Sequence, residues 1–495
     1  VLMMSFTRFP FRREPANDDP IQQVAVATRT SRRKTMCSAN AIAELACRLR
    51  ERLRVDCVHR PGDAEYAGTS TLWNGAVTTR PALVVRPRTD AEVAAAVTAA
   101  QECGVGLSVR GGGHDWAGRA LYEGGLVIDL GDMRDVRIER DTAVIGGGSL
   151  AGDVVAAAAS HGANVATGTV GVVGMAGLSL GGGYGLLLGT AGLAADNLLG
   201  AEVVLADGRL VSTEDDRELL WALRGGGGNF GVVTRMRVRL HPDHGLVGGM
   251  VLFPWEEAAT VLARYAELTA SASDGLTLLL EMTFVPDVGP CLLAVPVWSG
   301  ERRHADAAVG DVLRLGTPIT SSIGPTTQKD LLEQFDQAVS NGMHWDLRTR
   351  TVSALTPEII DLLISSAEAR PGPGAGIGIR QFHGAATRVG ADDTAFGLRT
   401  SHVVVEISAG RGPDEDASVY RKWAEDVRMA LEPHALPGGY PNFLLPDQDE
   451  QVAHAYGTHA ARLIAAKQSY DPRQVFTATP LPNRGRREAG AHSEA

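Results

Sequence analysis

Residues 108–118 read Ser-Val-Arg-Gly-Gly-Gly-His-Asp-Trp-Ala-Gly, and the reading of this stretch decides the fold. A short apolar run at 106–109 has the pattern of a strand. It passes through Arg110 straight into Gly111, Gly112 and Gly113, with His114 next. Glycine costs conformational entropy on folding, so a run of three marks a place where backbone approaches something closely. Three further blocks lie outward from it: Gly146-Gly147-Gly148, a glycine-dense segment at 168–185, and 225–228. Glycine makes up 58 of 495 residues, well above the usual share of about 7%. Turns and bulges explain one such block well. Four blocks, each at a strand end, are better explained by backbone N–H groups that cradle phosphate and together enclose one large cofactor.

A dinucleotide turn is the first motif to test. Gly146-x-Gly148-x-x-Ala151 follows a strand and opens a helix, which is the right context. It lacks its partner, because no acidic residue lies near 166–171 to hold a ribose hydroxyl. Gly226-x-Gly228-x-x-Gly231 stands between a helix and a strand, the reverse order. A Walker lysine motif is absent. A nicotinamide-dependent enzyme is therefore rejected.

Composition excludes other classes. With 47 basic and 58 acidic residues the net charge is −11, so the chain has no basic footprint for nucleic acid. The 44% hydrophobic content indicates a globular protein. No apolar run approaches the roughly 20 residues of a membrane helix. Cysteines 37, 47, 57, 103 and 291 are odd in number and match no metal spacing, so reduced cytoplasmic thiols are the default and no metal site is expected. Ser31-Arg32-Arg33 resembles a twin-arginine signal. The helix-like stretch that follows, 41–54, carries Glu44, Arg48 and Arg50 where an export signal is apolar. We read 1–40 as a disordered or leader segment and the location as cytoplasmic.

Strands are expected at 82–86, 106–109, 126–130, 143–145, 201–205 and 232–240. They alternate with helices at 90–101 (N-capped by Thr89), 153–161 and 218–223. Beyond about 245 the glycine blocks thin out and strands lengthen, at 250–253, 276–284, 292–298 and 403–407, with helices at 258–269 and 358–369. Residues 451–467 read as one helix, closed off by Tyr470-Asp471-Pro472. The expected fold is α+β, its second domain built on a largely antiparallel sheet flanked by helices. The domains are set at 41–242 and 243–440, with a C-terminal segment 441–480 returning to the first and a disordered tail 481–495.

With these motifs in order, the chain resembles the flavin-dependent oxidases of the vanillyl-alcohol oxidase superfamily. The similarity is to the berberine bridge enzyme-like branch, with its two-lobed PCMH-type FAD-binding domain. The stretch 108–118 looks like that family's pyrophosphate loop. Residues 80–85, 174–185, 192–204 and 227–234 follow in the family's order, as does Tyr470-Asp471-Pro472 with Val475-Phe476. The resemblance implies FAD held by Arg110, Gly111, Gly112, Gly113 and Gly118, and bonded covalently to His114 through its 8α-methyl carbon. From 167–185 it implies Thr167, Gly168, Val170, Gly174, Gly177, Leu178, Gly182, Gly183, Tyr184 and Gly185 as cofactor contacts. Asp196 and Asn197 are implied from the next segment, then Gly228, Asn229, Gly231, Val232 and Val233, and finally Asn442. Many relatives add a cysteinyl bond to flavin C6. Here Val170 holds that place, so a single histidyl link with no cysteinyl link is expected. Val173 aligns with the residue that controls oxygen access.

For catalysis, Tyr440 in Tyr440-Pro441-Asn442 resembles the family's tyrosine base. Glu406 sits near the catalytic glutamate of the berberine branch, and a carboxyl set among valines and isoleucine is poised by desolvation. Alternation puts Val403 and Val405 on one sheet face and Val404 and Glu406 on the other, so Glu406 is equally read as an outward-facing residue. His383 is a third candidate, read by default as a solvated loop histidine. The implied activity is oxidation of a small organic or secondary-metabolite substrate by hydride transfer to flavin, with O2 as acceptor giving H2O2. A dehydrogenase using another acceptor and a flavoprotein that sequesters a natural product stay open. Substrate and oligomeric state are not legible.

Overall fold

The computed structural model describes residues 38–338, 342–390, 392–445 and 447–482. Nearly all of the expected leader segment, and the tail beyond 482, lie outside the described residues. The leader's last two positions belong to a helix, Ala39–Arg52, because the Ser38 hydroxyl accepts the Ala41 N–H and caps it.

Among the described residues three sheets follow one another. The first contains β1 (Val58–His59), β2 (Leu83–Val85), β3 (Leu107–Arg110) and β4 (Leu126–Asp129) in the order β1-β2-β4-β3, with β2, β4 and β3 parallel. The helices Ala39–Arg52 and Asp90–Glu102 cover it, through Leu45, Leu49, Val93 and Val97 packed on Leu83, Leu126 and Ile128. Thr89 caps the second helix as expected, accepting from Glu92 N–H.

The second sheet is antiparallel. It contains β5 (Val136–Glu139), β6 (Thr142–Gly146), β7 (Ala163–Val165), β8 (Leu198–Val204), β9 (Leu210–Ser212) and β10 (Val232–Pro242). The helix Ala151–Ala159 after β6 starts two residues earlier than expected, since Asp153 accepts the Leu150 N–H. No parallel crossover is built here, which is why the Gly146-x-Gly148 turn is not a dinucleotide site.

The third sheet has nine strands: β11 (Leu246–Gly248), β12 (Val251–Pro254), β13 (Leu276–Val285), β14 (Gly289–Trp298), β15 (Thr320–Ser321), β16 (Gly324–Thr326), β17 (His344–Val352), β18 (Ala375–Phe382) and β19 (His402–Arg411). All its pairings are antiparallel, with β13-β18-β19-β17 consecutive. One face presents Leu280, Ile377, Ile379, Val403, Val405 and Ile407 to the helices Ala258–Ala270, Pro357–Glu368 and Ala417–Leu431. The other face joins the first half of the chain, as Leu279, Val295 and Val297 share a core with Val155, Val165 and Met175. The result is an α+β, two-domain fold.

The expected helix 451–467 is two helices, Asp449–His454 and Ala460–Tyr470. Gly457, at φ 49°, breaks the run between them. The second continues to Tyr470, and Lys467 on it donates to Asn229 O (2.6 Å), Phe476 O (2.6 Å) and Asp471 (2.5 Å). That buried pair draws the last described residues onto the first half of the chain, where Phe476 enters the core of the first sheet.

Candidate active site

The four glycine blocks meet. The loop after β3 touches the start of the helix Met175–Leu180 so closely that a Cβ on Gly112 would overlap the backbone of Gly174. Leu150, following the second block, forms a β-bridge to Gly174, and Ala151 N–H donates to Val173 O at 2.9 Å. At the other end of that helix, Leu180 O accepts from both Gly225 and Gly227 at 2.9 Å. Backbone from all four blocks is thereby gathered around one short helix.

Arg110 and Asp129 are register partners of β3 and β4, and the guanidinium donates to Asp129 at 2.9 Å. This buried pair supports the turn at Gly113, whose φ is 71°. His114 follows, with Trp73 stacked on its ring at 4.2 Å. Its Nε2 is buried without a hydrogen-bond partner among the described residues. Burial also lowers the imidazole to a pKa of about 4, so it is neutral at physiological pH. Asp115 pairs with Arg119, whose guanidinium donates to Asn442 O (3.2 Å) and Leu444 O (3.3 Å). The histidine loop and the Tyr440 segment are tied together by this arginine.

Tyr440 is buried, and its hydroxyl accepts Gly183 N–H at 2.7 Å and Asn442 Nδ2–H at 2.9 Å. Gly182 and Gly183, at φ 136° and 89°, take a path closed to other residues. That path aims the Gly183 N–H at the phenol. Burial pushes Tyr440 up to about 12, against the pull of these donors. Tyr184 stands edge-on to Tyr440 at 4.5 Å and reaches His402 Nε2 at 3.1 Å. His402, held by Thr400 O at 2.7 Å, is lowered by burial to about 4.

Beside them stands a charged cluster on the face of the large sheet away from its helices. Glu281, Gly378 and Glu406 are directly opposed on β13, β18 and β19. Arg380, one row along, donates through Nε to Glu406 at 2.5 Å and lies 3.6 Å from Glu281. Burial opposes the charge of Arg380, but Glu406 and Glu281 outweigh it and raise its pKa; Tyr440 also feels it. Burial, opposed by Arg380 and assisted by Glu406, pushes Glu281 up to about 7. The alternation read from 403–406 holds, yet the face bearing Glu406 is not outward: its side chain is only 9% exposed and is paired.

Other expected site residues have protein partners. Asp196 pairs with Arg399 at 2.7 Å. Asn197 donates to Ala191 O and Leu193 O, both at 2.8 Å, and accepts from His241. Asn229 bonds Gly226 O, Thr479 O and Ala478 N–H, holding the C-terminal segment. Thr167 is buried against Met175, and Asn442 Nδ2 also donates to Leu178 O. Val170 and Val173 are half-buried on a loop whose Gly171 N–H donates to Asp336 at 2.7 Å. Gly177 is exposed, whereas Gly118, Gly168, Gly231, Val232 and Val233 are buried and Gly185 and Gly228 half-buried. His383 is not a solvated loop residue: it is buried at the end of β18, and burial lowers its pKa. Sequence reading missed Trp73, Glu281, Arg380 and His402. Charged residues at 281 and 380, each on an apolar strand like Glu406, were the available signal for two of them.

Residues 81–214 match the family model described as an FAD binding domain. The chain is 30% identical over 428 residues to the FAD-linked oxidoreductase aurO of Gibberella zeae, spanning 85% of this chain and 84% of that protein. It is 30% identical over 447 residues to the (R)-6-hydroxynicotine oxidase of Paenarthrobacter nicotinovorans, spanning 84% and 94%. Among solved structures it is similar to 6-hydroxy-D-nicotine oxidase from Arthrobacter nicotinovorans, with a TM-score of 0.78, 27% identity, and coverage of 86% and 97%. The glucooligosaccharide oxidase of Acremonium strictum, described with a 6-S-cysteinyl, 8α-N1-histidyl FAD, shares the fold at a TM-score of 0.78 and 22% identity over 89% and 99% of the chains.

Proposed function

The chain belongs to the FAD-linked oxidoreductases, and from that premise we propose that it is an oxidase of the berberine bridge enzyme-like branch carrying its FAD on His114 alone. The observation that carries this reading is the state of that imidazole: neutral, with Nε2 buried and without a partner among the described residues, at the end of a glycine turn in contact with two of the other glycine blocks. A neutral ring nitrogen is the form able to make a covalent bond to carbon. The residues present therefore fit the group. Bound there, FAD supplies a hydride acceptor and a route for electrons to O2, giving H2O2.

We assign residues 41–242 and 441–480 to the cofactor and 243–440 to a small organic substrate. Tyr440 takes the substrate's proton at its hydroxyl oxygen, where Gly183 and Asn442 donate hydrogen bonds that favour the phenolate. Arg380 supplies positive charge next to that phenolate and is itself held by Glu406. Glu406 thus acts through Arg380. Phe382, Phe396 and Tyr184 pack around Tyr440 and keep water from it. Val170, a residue with no nucleophile, leaves the histidyl bond as the sole tether, and Val173 governs access of O2.

Intact-mass measurement and peptide mapping test the assignment. One FAD is expected on the peptide containing His114 and none on 167–185. Flavin released entirely by acid would overturn it. Stoichiometric H2O2 during turnover distinguishes an oxidase from a dehydrogenase.

A further inference from the structure

His114 lacks what ordinarily sets the plane of a histidine ring. A ring nitrogen usually takes its orientation from a hydrogen bond to a carboxylate or carbonyl. Here Nε2 has no partner among the described residues, and the imidazole's other polar contact is with its own backbone. The ring is held instead by an indole: Trp73 lies 4.2 Å away with the planes 15° apart.

Trp73 is itself fixed on several sides. Its backbone N–H donates to Gly113 O at 3.1 Å. Its indole also stacks on Trp345, at 5.5 Å and 15°, and meets the edge of Trp116 at 4.8 Å. Trp345 belongs to β17 of the large sheet. The neighbouring Asn74 fastens it there, donating to Trp345 O (3.0 Å) and Trp116 O (3.2 Å) and accepting Trp345 N–H (2.9 Å). A stack therefore runs from the large sheet through Trp73 to the histidine.

We infer that Trp73, backed by Trp345, is a positioning residue for covalent attachment of the flavin: its indole holds the His114 imidazole in the plane from which a ring nitrogen meets the 8α carbon. The inference rests on the reading that His114 carries FAD. Stacking suits the task because it grips the π face and leaves the in-plane lone pair free, whereas a hydrogen bond would engage that lone pair. Forming the C–N bond releases one proton from the 8α-methyl group and one from the imidazole. The two electrons left on the flavin ring pass to one O2, which leaves as H2O2, so the atoms and electrons balance.

The test uses the full-length protein as purified, and compares Trp73→Leu, Trp73→Phe and Trp345→Leu with the native chain. Three quantities are read: total flavin by absorbance, the fraction surviving acid precipitation, and the melting temperature. Trp73→Leu is expected to retain bound flavin while its ratio of covalent to non-covalent flavin falls about fivefold, the factor that an aromatic stack of typical strength is worth. Trp73→Phe, which keeps a planar face, restores the native covalent fraction. Trp345→Leu leaves the histidine contact in place and gives an intermediate value; it also decides the matter should Trp73→Leu not fold. A native covalent fraction in both leucine variants overturns the inference. So does a parallel fall of total and covalent flavin in both, since that is the signature of a merely structural role. Absence of covalent flavin from the native protein removes the inference together with the reading beneath it.

Discussion

Tyr440 shows how burial and hydrogen bonding compete at a single oxygen. Burial, helped by the charge of Glu406, pushes the phenol up to about 12, while the N–H donors of Gly183 and Asn442 favour its deprotonated form. The consequence is a rate of flavin reduction that rises with pH through the neutral and alkaline range. With any substrate that bleaches the flavin, Tyr440→Phe is expected to slow anaerobic reduction about 10²-fold or more and to abolish that rise. An unchanged rate would remove Tyr440 as the base. Glu281 makes a second prediction. Its pKa is raised, so the fold favours the protonated carboxyl. That stability is complete below the ordinary glutamate range and is lost as pH climbs through about 7. Glu281→Gln keeps a neutral side chain at every pH. It should melt about 2 °C or more above the native protein at pH 8 and together with it at pH 4.5. A pH-independent difference would mean that the carboxylate is not strained.

At the scale of elements, the loops matter more than the strands that carry them. The loop after β3 and the start of the helix Met175–Leu180 meet backbone to backbone, with no room for a methyl group at Gly112. Gly112→Ala must separate them, at a cost of about 1–3 kcal/mol, and should lower both urea resistance and flavin content. Native flavin content in this variant would show that the contact is not needed for binding. The same scale explains what was legible in the sequence. Strands, caps and the glycine loops were, because each is set by residues next to one another: Thr89 capping its helix, Gly111–Gly113 ending β3. The C-terminal helix was misread as continuous because Gly457 sits in an otherwise helical pattern. Its left-handed conformation, open to glycine, is not set by the apolar spacing of the residues around it.

At the scale of the whole molecule, the two halves of the chain meet at the site. Asn74 is the clearest link, bonding the histidine loop and β17 at once. Asn74→Ala leaves half-buried backbone groups of Trp116 and Trp345 unpaired, a loss of about 1 kcal/mol. Amide hydrogen exchange at 113–118 and 342–345 should then quicken while the helix-covered core of the large sheet is unaffected. Unaltered exchange at both segments would show that the halves are held by other contacts. The amino-acid sequence by itself determined the elements, the cofactor loop and the identity of His114 and Tyr440 as chemical groups, because these depend on local spacing and on side-chain type. Only the tertiary structure decided that Glu406 faces inward against Arg380, that Glu281 joins them across Gly378, and that Trp73 lies on the histidine. Those are meetings of residues far apart along the chain, and strand register and domain packing bring them together.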